Sequence, residues 1–474
     1  MARAKIPSAV KLGALGVGLG YLVHRVAASR GYPPSTSVTP GVPIVPSVPI
    51  VRGSPAFSRR SAGRRRALLI GASGGVARAL LHLLWSHPDG RAITAKLDGL
   101  LLVDSNPPVA PRFFPGVQAL PPTRIEPETL SRVIRDHQID QVIEVASVDT
   151  RELSRVCAAH GADYVSAAIS ADGPILVAAK NLLANRPDTR GTSQIIASGM
   201  NPGVVEALAN VAIDEFRRRV GVTNLELHGV HVTEEDTTRC ATDLGDVFAM
   251  SWSPDHALDE LLEAPSMYVA ADRLTATVHQ PHRQLYAARV GDREVATMLV
   301  PHEELISMAR LWPGVESGFF YAIPIAAQNA LRRYPDRKPE QWKTRRLYCP
   351  HTRGLVGYDR VGCLLSSQRY GELWAGFEHH ADDYATFGNG TLLQTAAGML
   401  AAWSLLGSAP GLHVVSEIDA RAYLAVVQRV LGPYRVFYDP RAPVRYVADR
   451  GMPSPSLRRN DRSMESGSGW TARP

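Results

Sequence analysis

The chain has 474 residues, a length at which we expect two or three domains with ample hydrophobic cores. Its four cysteines are scattered and form no C-x-x-C pair, so the sequence predicts neither a disulfide scaffold nor a zinc site, and a reducing, cytoplasmic compartment fits. The formal net charge is +7, but residues 1–66 carry eleven Lys or Arg and no acid, which leaves −4 on residues 67–474. Because the basic end lacks interleaved aromatic residues, a nucleic-acid-binding function is the weakest interpretation.

Residues 1–63 have the composition of a leader and a linker. An apolar run covers residues 12–23, and twelve apolar residues are too few to span a bilayer as a helix, so no integral membrane span is expected. The run is compatible with a signal or transit peptide, with a membrane-surface segment and with a disordered extension. Residues 33–61 are rich in Pro, Ser and Val and predict a linker, and residues 451–474 predict a disordered tail.

The folded chain begins with a strand, a glycine turn and a helix within residues 67–84. Four apolar residues, 67–70, run into Gly71, and a helical pattern starts at Val76. The spacing G-x-x-G-x-x-A suits a dinucleotide, because glycines permit a sharp turn and let a pyrophosphate approach the backbone at the helix start. A glycine turn can also merely connect a strand to a helix, so this signal alone is weak. The predicted cofactor-binding residues of the turn are Gly71, Ser73, Gly74, Gly75, Val76 and Ala77.

The next predicted strand, residues 100–103, ends in Asp104. An acid at this point accepts hydrogen bonds from the adenosine ribose and repels a 2'-phosphate, which favours NAD over NADP. The interval from the glycines exceeds the usual one of about twenty residues, which implies a long connection between the two strands.

Alternating helices and strands continue from there. We predict helices over residues 127–137 and 151–160 and strands over residues 141–146, 164–168 and 194–197. This alternation predicts an α/β fold with a doubly wound parallel sheet of the Rossmann type, whose ligands gather at the carboxyl ends of the strands. Asp149 and Ser166 lie at such ends.

The turn at residues 201–203 leads into a long amphipathic helix. Asn201 is expected to cap that helix and to turn its amide toward the crevice, and the plainer interpretation is a helix cap alone. Beyond residue 220, short alternating segments predict a second, α+β domain with a mainly antiparallel sheet for substrate binding and dimerisation. Two more helices are predicted over residues 392–406 and 418–431. The expected domains are 64–205, 206–385 and a C-terminal helical part, 386–450, that packs back on the first.

An acidic segment follows the start of the second domain. Residues 234–263 contain nine acids against one Arg, a composition that attracts cations, although any one of these acids is more often a solvated surface residue. Trp252 lies among them, and an indole face binds an ammonium or iminium group by cation–π attraction of about 0.5–2 kcal/mol.

Six motifs in order resemble the saccharopine dehydrogenase superfamily, and within it the homospermidine synthases, over most of residues 66–435. They are the segment 147–165, the Gly-Met-Asn-Pro-Gly turn at 199–203, one substrate-pocket stretch made of HVTEEDTT at 231–238 followed by DVFAMSWSPDHALDE at 246–260, Pro301-His302, Asp359, and Asn-Gly-Thr-Leu-Leu-Gln at 389–394. The chain departs from the family in its leader, in the spacing of its glycine turn, in the end of the strand at residue 164 and in Arg360, where the synthases tend to be acidic.

The resemblance implies a redox-neutral enzyme that uses NAD to condense two putrescines, or putrescine and another polyamine, to homospermidine with release of ammonia. It implies a small-molecule diamine or polyamine as substrate and a homodimer; from composition and charge, neither a nucleic acid nor a metal is expected. The residues that it puts in catalytic or substrate-orienting roles are Glu234, Trp252, Glu260, Asp149, Asn201, His302 and Asp359, and Ser147 joins the cofactor-binding set.

Two other classes remain open. A saccharopine-type or carboxynorspermidine-type dehydrogenase acts on an imine derived from an amino acid and needs a basic anchor for its carboxylates, for which Arg360 is available. A nucleotide-binding sensor without turnover would keep the glycine turn and Asp104 but would not need Trp252 and the pocket acids.

Overall fold

The computed structural model describes residues 64–108, 116–171, 173, 175–240, 246–348, 355–381, 388–441 and 458–459. The predicted leader and linker, with the apolar run at 12–23, lie outside these ranges, as does the predicted tail except for residues 458–459. Within the described ranges, no helix has both the length and the apolar character needed to cross a membrane.

The first half of the described chain, together with one strand from its C-terminal part, builds a parallel sheet; strands are numbered along the chain. Over the described residues it has seven strands in the order β19-β6-β5-β4-β1-β2-β3, and every neighbouring pair is parallel. The sheet therefore winds outward in two directions from the β1/β4 pair, as predicted for a doubly wound fold. Its strands are β1 (Arg65–Ile70), β2 (Leu97–Val103), β3 (Val117–Ala119), β4 (Gln141–Glu144), β5 (Asp163–Ser166), β6 (Ser193–Ile196) and β19 (Gly411–Val414).

Helices connect these strands and end where the sequence supplies a stop. The third and fourth close with a left-handed residue, Gln138 and Gly161 respectively, which is the usual helix C-terminus. The fifth was not predicted. The helices of this part are α1 (Gly75–Ser86), α2 (Pro88–Thr94), α3 (Pro127–His137), α4 (Thr150–His160), α5 (Ile175–Ala184) and α6 (Val204–Val220).

The second sheet is mixed and mainly antiparallel, in agreement with the α+β expectation. Among the described strands its order is β20-β18-β17-β7-β14-β13-β12-β21, and the β7/β14 pair is its parallel one. Its strands are β7 (Gly229–Asp236), β12 (Leu285–Val290), β13 (Arg293–Val300), β14 (Phe319–Ala322), β17 (Tyr358–Ser367), β18 (Gly371–His380), β20 (Arg435–Asp439) and β21 (Arg458–Arg459).

Smaller elements surround this mixed sheet. The short strands are β8 (Arg239–Cys240), β9 (Phe248–Met250), β10 (Met267–Ala270), β11 (Arg273–Ala276), β15 (Arg346–Tyr348) and β16 (Leu355–Val356). The helices are α7 (Pro254–Leu258), continued by a π-helical turn (Asp259–Glu263), α8 (Glu304–Leu311), α9 (Ile325–Arg333), α10 (Pro339–Trp342), α11 (Gly390–Leu405) and α12 (Ala420–Leu431). Single 3₁₀ turns cover Pro281–Arg283 and Val415–Glu417.

One hydrophobic core runs through both sheets. It includes Leu68 of β1, Phe216 of α6, Val232 of β7 and Met399 of α11, all fully buried. Helix α6 packs on α12 and on strands β17 and β18, and α11 packs on α1, so these helices hold the two sheets together. The segment predicted as C-terminal helices also supplies one edge strand to each sheet, β19 to the parallel sheet and β20 to the mixed one.

Candidate active site

The glycine turn after β1 has the geometry of an anion-binding helix start. Gly71 has a positive φ of 84°, its N–H donates to the carbonyl of Val103 at 3.0 Å, and Gly74 donates back to Gly71 at 3.0 Å. Gly74 precedes α1 and gives the helix no side-chain cap. The first N–H groups of α1 are therefore oriented to bind an anion at the carboxyl edge of the parallel sheet.

Asp104 lies beside this turn, at the end of β2. Its carboxylate is 5% exposed and accepts hydrogen bonds from the N–H groups of Ser73 at 3.0 Å and Asn106 at 2.9 Å. The structure thus brings the acid against the glycine turn although 31 residues separate it from Ser73.

The loop after β4 lies on the other side of the point where the sheet reverses its winding. Ser147 Oγ is 2.9 Å from His256 Nε2. Asp149 accepts a hydrogen bond from the N–H of Glu152 at 2.9 Å and so caps α4, which is the contact that its carboxylate has in the structure. Glu144, which sequence reasoning missed, ends β4 as a buried acid, and burial raises its pKa to about 8.

Three buried carboxylates meet on one face of the mixed sheet. Glu234 and Asp236 alternate along β7, and Asp359 of β17 pairs in register with Asp236, so all three project to the same face. Glu234 is 4% exposed and Asp359 is 1% exposed. We call Glu234, Asp236 and Asp359 the carboxylate cluster.

Burial and mutual repulsion favour protonation of this cluster. Burial raises the pKa of Glu234 well above its ordinary value, and Asp359 and Asp236 raise it further. Burial raises the pKa of Asp236 to about 6, although Ser251, which donates to it at 2.5 Å, lowers it. Asp359 follows the same direction by burial and by the charge of Asp236. One of its oxygens accepts from Thr391, and the other is buried without a hydrogen-bond partner. The cluster therefore suits a proton or an organic cation.

Trp252 and Tyr321 flank the carboxylate cluster. Trp252 Nε1 donates to Tyr321 Oη at 2.9 Å, and Tyr321 pairs with Glu234 across β14 and β7. Burial raises the pKa of Tyr321 well above its ordinary value, and Glu234 raises it further. Tyr321 was not predicted from the sequence, in which its one signal is a hydroxyl within an otherwise apolar strand.

Asn201 has a different partner from the one predicted. It precedes a cis peptide bond to Pro202, and Gly203 is the residue that precedes α6, so the expected cap by Asn201 is wrong. Its Nδ2 donates to Glu234 Oε2 at 2.7 Å. The amide thus faces the crevice and links the loop after β6 to the carboxylate cluster.

A second group of titratable side chains surrounds His302. Its Nδ1 hydrogen-bonds to Glu304 and lies 3.4 Å from Glu303 Oε2, and its Nε2 lies 3.9 Å from Glu260 Oε1. Burial lowers the pKa of His302, but Glu304, Glu303 and Glu260 outweigh it and raise that pKa well above its ordinary value. His302 in turn lowers the pKa of Glu234. We call His302, Glu260, Glu303 and Glu304 the histidine cluster; Glu303 and Glu304 were not predicted, although they follow His302 directly.

The histidine cluster extends to α6 and has ligand atoms close together. Those of His302, Glu303 and Glu304 lie within 4.8 Å of one another, close enough to hold a metal ion. Glu206 of α6, which accepts from Ser307 beside this group, is also buried, and burial raises its pKa to about 8. The imidazolium that these acids favour supplies the positive charge the group needs.

The remaining acids of the 234–263 segment do not all face the site. Glu235, Asp246 and Asp255 form ion pairs at 2.6 Å with Arg293, Arg333 and Arg346 respectively. The uniform cation-attracting segment expected from composition is therefore divided, with part of it facing the site and part of it in ion pairs.

Arg360 lies on the face of β17 opposite Asp359. It pairs in register with Glu235, donates to Glu378 at 2.6 Å and bridges to Asp292 at 3.1 Å. These acids occupy the guanidinium on that face, so Arg360 is not the basic anchor that the dehydrogenase alternative needs.

Comparisons with known proteins agree on the fold. No protein-family model and no curated protein sequence matches the chain. Homospermidine synthase from Legionella pneumophila, solved in complex with NAD, aligns with a TM-score of 0.67 at 17% identity, over 82% of this chain and 94% of that chain. Saccharopine dehydrogenase (L-Glu forming) from Saccharomyces cerevisiae, solved in its apo form, aligns with a TM-score of 0.51 at 12% identity, over 79% of this chain and 100% of that chain. The chain shares the α/β fold of these enzymes.

Proposed function

We propose that the chain is an NAD-dependent aminoalkyl transferase of the homospermidine synthase type, which condenses two putrescines, or putrescine and another polyamine, with release of ammonia. The observation that carries the proposal is the carboxylate cluster, buried beside Trp252 and in contact with Asn201 of the loop after β6. Buried acids need protons or cations, and a diamine offers ammonium groups without any anion. The fold shared with a homospermidine synthase supports the proposal.

The glycine turn fits a dinucleotide cofactor. Gly71, Gly74 and the uncapped start of α1 would bind the pyrophosphate. Asp104 would accept hydrogen bonds from the ribose hydroxyls, and its negative charge would repel a 2'-phosphate. When bound, NAD supplies the hydride acceptor and donor for amine oxidation and imine reduction.

The carboxylate cluster would bind and deprotonate the first amine. An ammonium group must lose a proton before its carbon can lose hydride, and a carboxylate with a raised pKa is the better proton acceptor. Glu234 and Asp359 would supply this base, and Asn201, which donates to Glu234 at 2.7 Å, would orient it.

Trp252 and the histidine cluster would hold the rest of the substrate. The indole face would stabilise the cationic imine, and Glu260, whose Oε1 lies 3.9 Å from His302 Nε2, would bind the distal ammonium group. The second amine would add to the carbon of the first imine, ammonia would leave from that adduct to form a new imine, and the new imine would be reduced by the hydride that the first amine gave up. The oxidation state of the cofactor is therefore unchanged over the cycle.

An amino-acid-derived imine is a poorer candidate substrate. Its carboxylates need a basic anchor, and Arg360 forms its ion pairs with Glu378 and Asp292 on the opposite face of β17. The homodimer, the cytoplasmic location and the domain boundaries stay predictions.

The first test is turnover by the full chain with putrescine and a trace of NAD+. We expect homospermidine and ammonia in large molar excess over NAD+, measured by mass spectrometry, with no net NADH absorbance. Stoichiometric NADH, or activity only with an added amino acid or keto acid, would move the assignment to a dehydrogenase. Binding of NAD+ without turnover of either substrate set would favour a sensor.

Neighbouring acids on β7 provide a matched pair of variants. Glu234→Gln removes a carboxylate of the cluster, and we expect it to lower kcat/KM for putrescine about a hundredfold or more, the usual contribution of a positioned base. Glu235→Gln, whose side chain is paired with Arg293 on the other face, keeps kcat/KM within about threefold of the wild type. Equal effects of the two changes would contradict the assignment.

A further inference from the structure

A small unit beside the mixed sheet contacts both loops of the cofactor crevice. It consists of residues 248–258 and 346–348, which we call the flap. Parallel pairing of β9 with β15 joins its two segments, and an ion pair of 2.6 Å between Arg346 and Asp255 joins β15 to α7. Strand pairing and an ion pair thus connect the two segments of the flap, so that they can move as one unit.

The first contact is with the loop after β4. His256 of α7 places its Nε2 2.9 Å from Ser147 Oγ, within hydrogen-bonding distance. Ser147 follows the strand that marks one side of the crevice.

The second contact is with the glycine turn. A Cβ added at Gly75 would lie 2.4 Å from the hydroxyl of Tyr348, so this hydroxyl rests on the first turn of α1. A phosphate bound at the uncapped helix start would be within its neighbourhood, and a phenolic hydroxyl is a good donor to phosphate oxygens.

The two contacts lie on either side of the point where the parallel sheet reverses. The glycine turn follows β1, Ser147 follows β4, and β1 and β4 are adjacent strands. Ligands of doubly wound sheets bind in the crevice at this position. The flap therefore contacts both sides of the crevice.

We propose that the flap retains the dinucleotide through the catalytic cycle, with Tyr348 binding its pyrophosphate and His256 fastening the flap to Ser147. The inference rests on the proposed function for the identity of the cofactor. In the proposed reaction the cofactor receives a hydride in the first step and returns it in the last step. A cofactor that stays bound between these steps keeps the hydride available for the second reduction. Trp252 lies on the same flap, between β9 and α7, so the unit that covers the cofactor also positions the indole.

The test is the dissociation rate of NADH from the full chain without any amine. NADH fluorescence is followed after addition of excess NAD+. Because each change removes one hydrogen bond to the cofactor or across the crevice, we expect Tyr348→Phe and His256→Ala to release NADH about tenfold faster than the wild type. His256→Gln, which keeps a polar nitrogen at a similar distance, should restore most of the slow rate.

The contact between His256 and Ser147 can be tested separately. Ser147→Ala should accelerate NADH release as much as His256→Ala does. The double variant should release NADH no faster than either single variant, because both changes break the same contact. His413→Ala on edge strand β19 and Tyr438→Phe on β20 are the matched controls and should release NADH at the wild-type rate.

Rates for Tyr348→Phe and His256→Ala within about twofold of the wild type, with NADH bound and melting temperatures unchanged, would overturn the inference. A chain that holds NADH as expected but makes no homospermidine would contradict the proposed function alone. A working synthase whose variants all release NADH equally would contradict the flap alone.

Discussion

The hydrogen bond of the Trp252 indole N–H determines which part of the ring can contact a cation. Its N–H donates to Tyr321 at 2.9 Å, and Tyr321 lies in register with Glu234 of the carboxylate cluster. With the N–H engaged, the indole offers its π face. That face stabilises a planar cation without neutralising it, which an imine needs if it is to stay open to attack by a second amine.

Two substitutions of Trp252 distinguish the contribution of its aromatic ring from that of its N–H. We expect Trp252→Leu to lower kcat/KM for putrescine about tenfold, because the cation–π attraction is lost, and Trp252→Phe to lower it about threefold, because a weaker aromatic face remains. Homospermidine formation at subsaturating putrescine measures both values.

A tryptophan outside the site serves as the control. Trp85 of α1 is 50% exposed, and Trp85→Leu should keep the wild-type kcat/KM. If Trp252→Leu were as active as Trp252→Phe, the indole would be a packing residue and the imine would be stabilised elsewhere.

At the scale of elements, the unit of β1, turn and α1 depends on one backbone conformation. Gly71 has a φ of 84°, and a Cβ added there would lie 3.0 Å from Ala146 in the loop after β4. Gly161, the left-handed residue that ends α4, has a similar φ of 70° with nothing within 4 Å of an added Cβ. The two glycines differ in their surroundings and share a left-handed backbone conformation, which a residue with a side chain rarely adopts.

This contrast provides a test of the cofactor turn. Gly71→Ala should weaken NAD+ binding about tenfold or more, because the strained backbone and the contact with Ala146 both disturb the turn. Gly161→Ala should destabilise the fold by about 1 kcal/mol and leave NAD+ affinity unchanged. Isothermal titration with NAD+ and thermal melts measure the two effects, and equal losses of affinity would exclude a cofactor role for the turn.

Local sequence signals predicted those elements whose limits are local. Strand β1 and helix α4 follow from an apolar run before Gly71 and from a helical pattern that stops at Gly161. Helix α5 was missed because its sequence, ILVAAKNLLA, is apolar on nearly all sides and shows little helical periodicity. The cap assigned to Asn201 failed because Gly203 is the residue that precedes α6, and the Asn201 amide instead donates to Glu234, 33 residues further along the chain.

At the scale of the molecule, the candidate site depends on contacts between strands distant in sequence. Glu234 and Asp359 were singled out from the sequence, but their proximity arises from the β7/β17 pairing, which no local pattern reveals. Tyr321 reaches the same face through β14. Conversely, the acidic composition of residues 234–263 could not tell Glu234 from Glu235, because facing the site or facing Arg293 depends on the alternation of the folded strand.

The buried acids together predict how the stability of the molecule depends on pH. Burial raises the pKa of Glu144, Glu206 and Glu260 to about 8, from an ordinary value of 4.5. The folded state therefore binds more protons than the unfolded state between these two values. The stability that these groups contribute is present below the lower value and is lost as the pH rises through the higher one, so the melting temperature should fall by about 5 °C or more between about pH 6 and pH 9. Glu206→Gln, which keeps an acceptor for Ser307, should flatten this dependence, whereas exposed Glu128→Gln should not.

The ionisation of the carboxylate cluster also predicts the pH at which putrescine stabilises the fold most. Its ammonium groups, with pKa values near those of lysine at about 10, stay charged while the carboxylate cluster loses protons, so the diamine replaces the protons as counter-charge. The rise in melting temperature on adding putrescine should therefore be small near pH 6 and larger near pH 9, by about 3 °C or more. Asp359→Asn removes an acid of the cluster and should reduce the putrescine effect, while Glu128→Gln at an exposed position should leave it intact. A putrescine effect that is independent of pH would show that the diamine binds away from the buried acids, because only their deprotonation couples its affinity to pH.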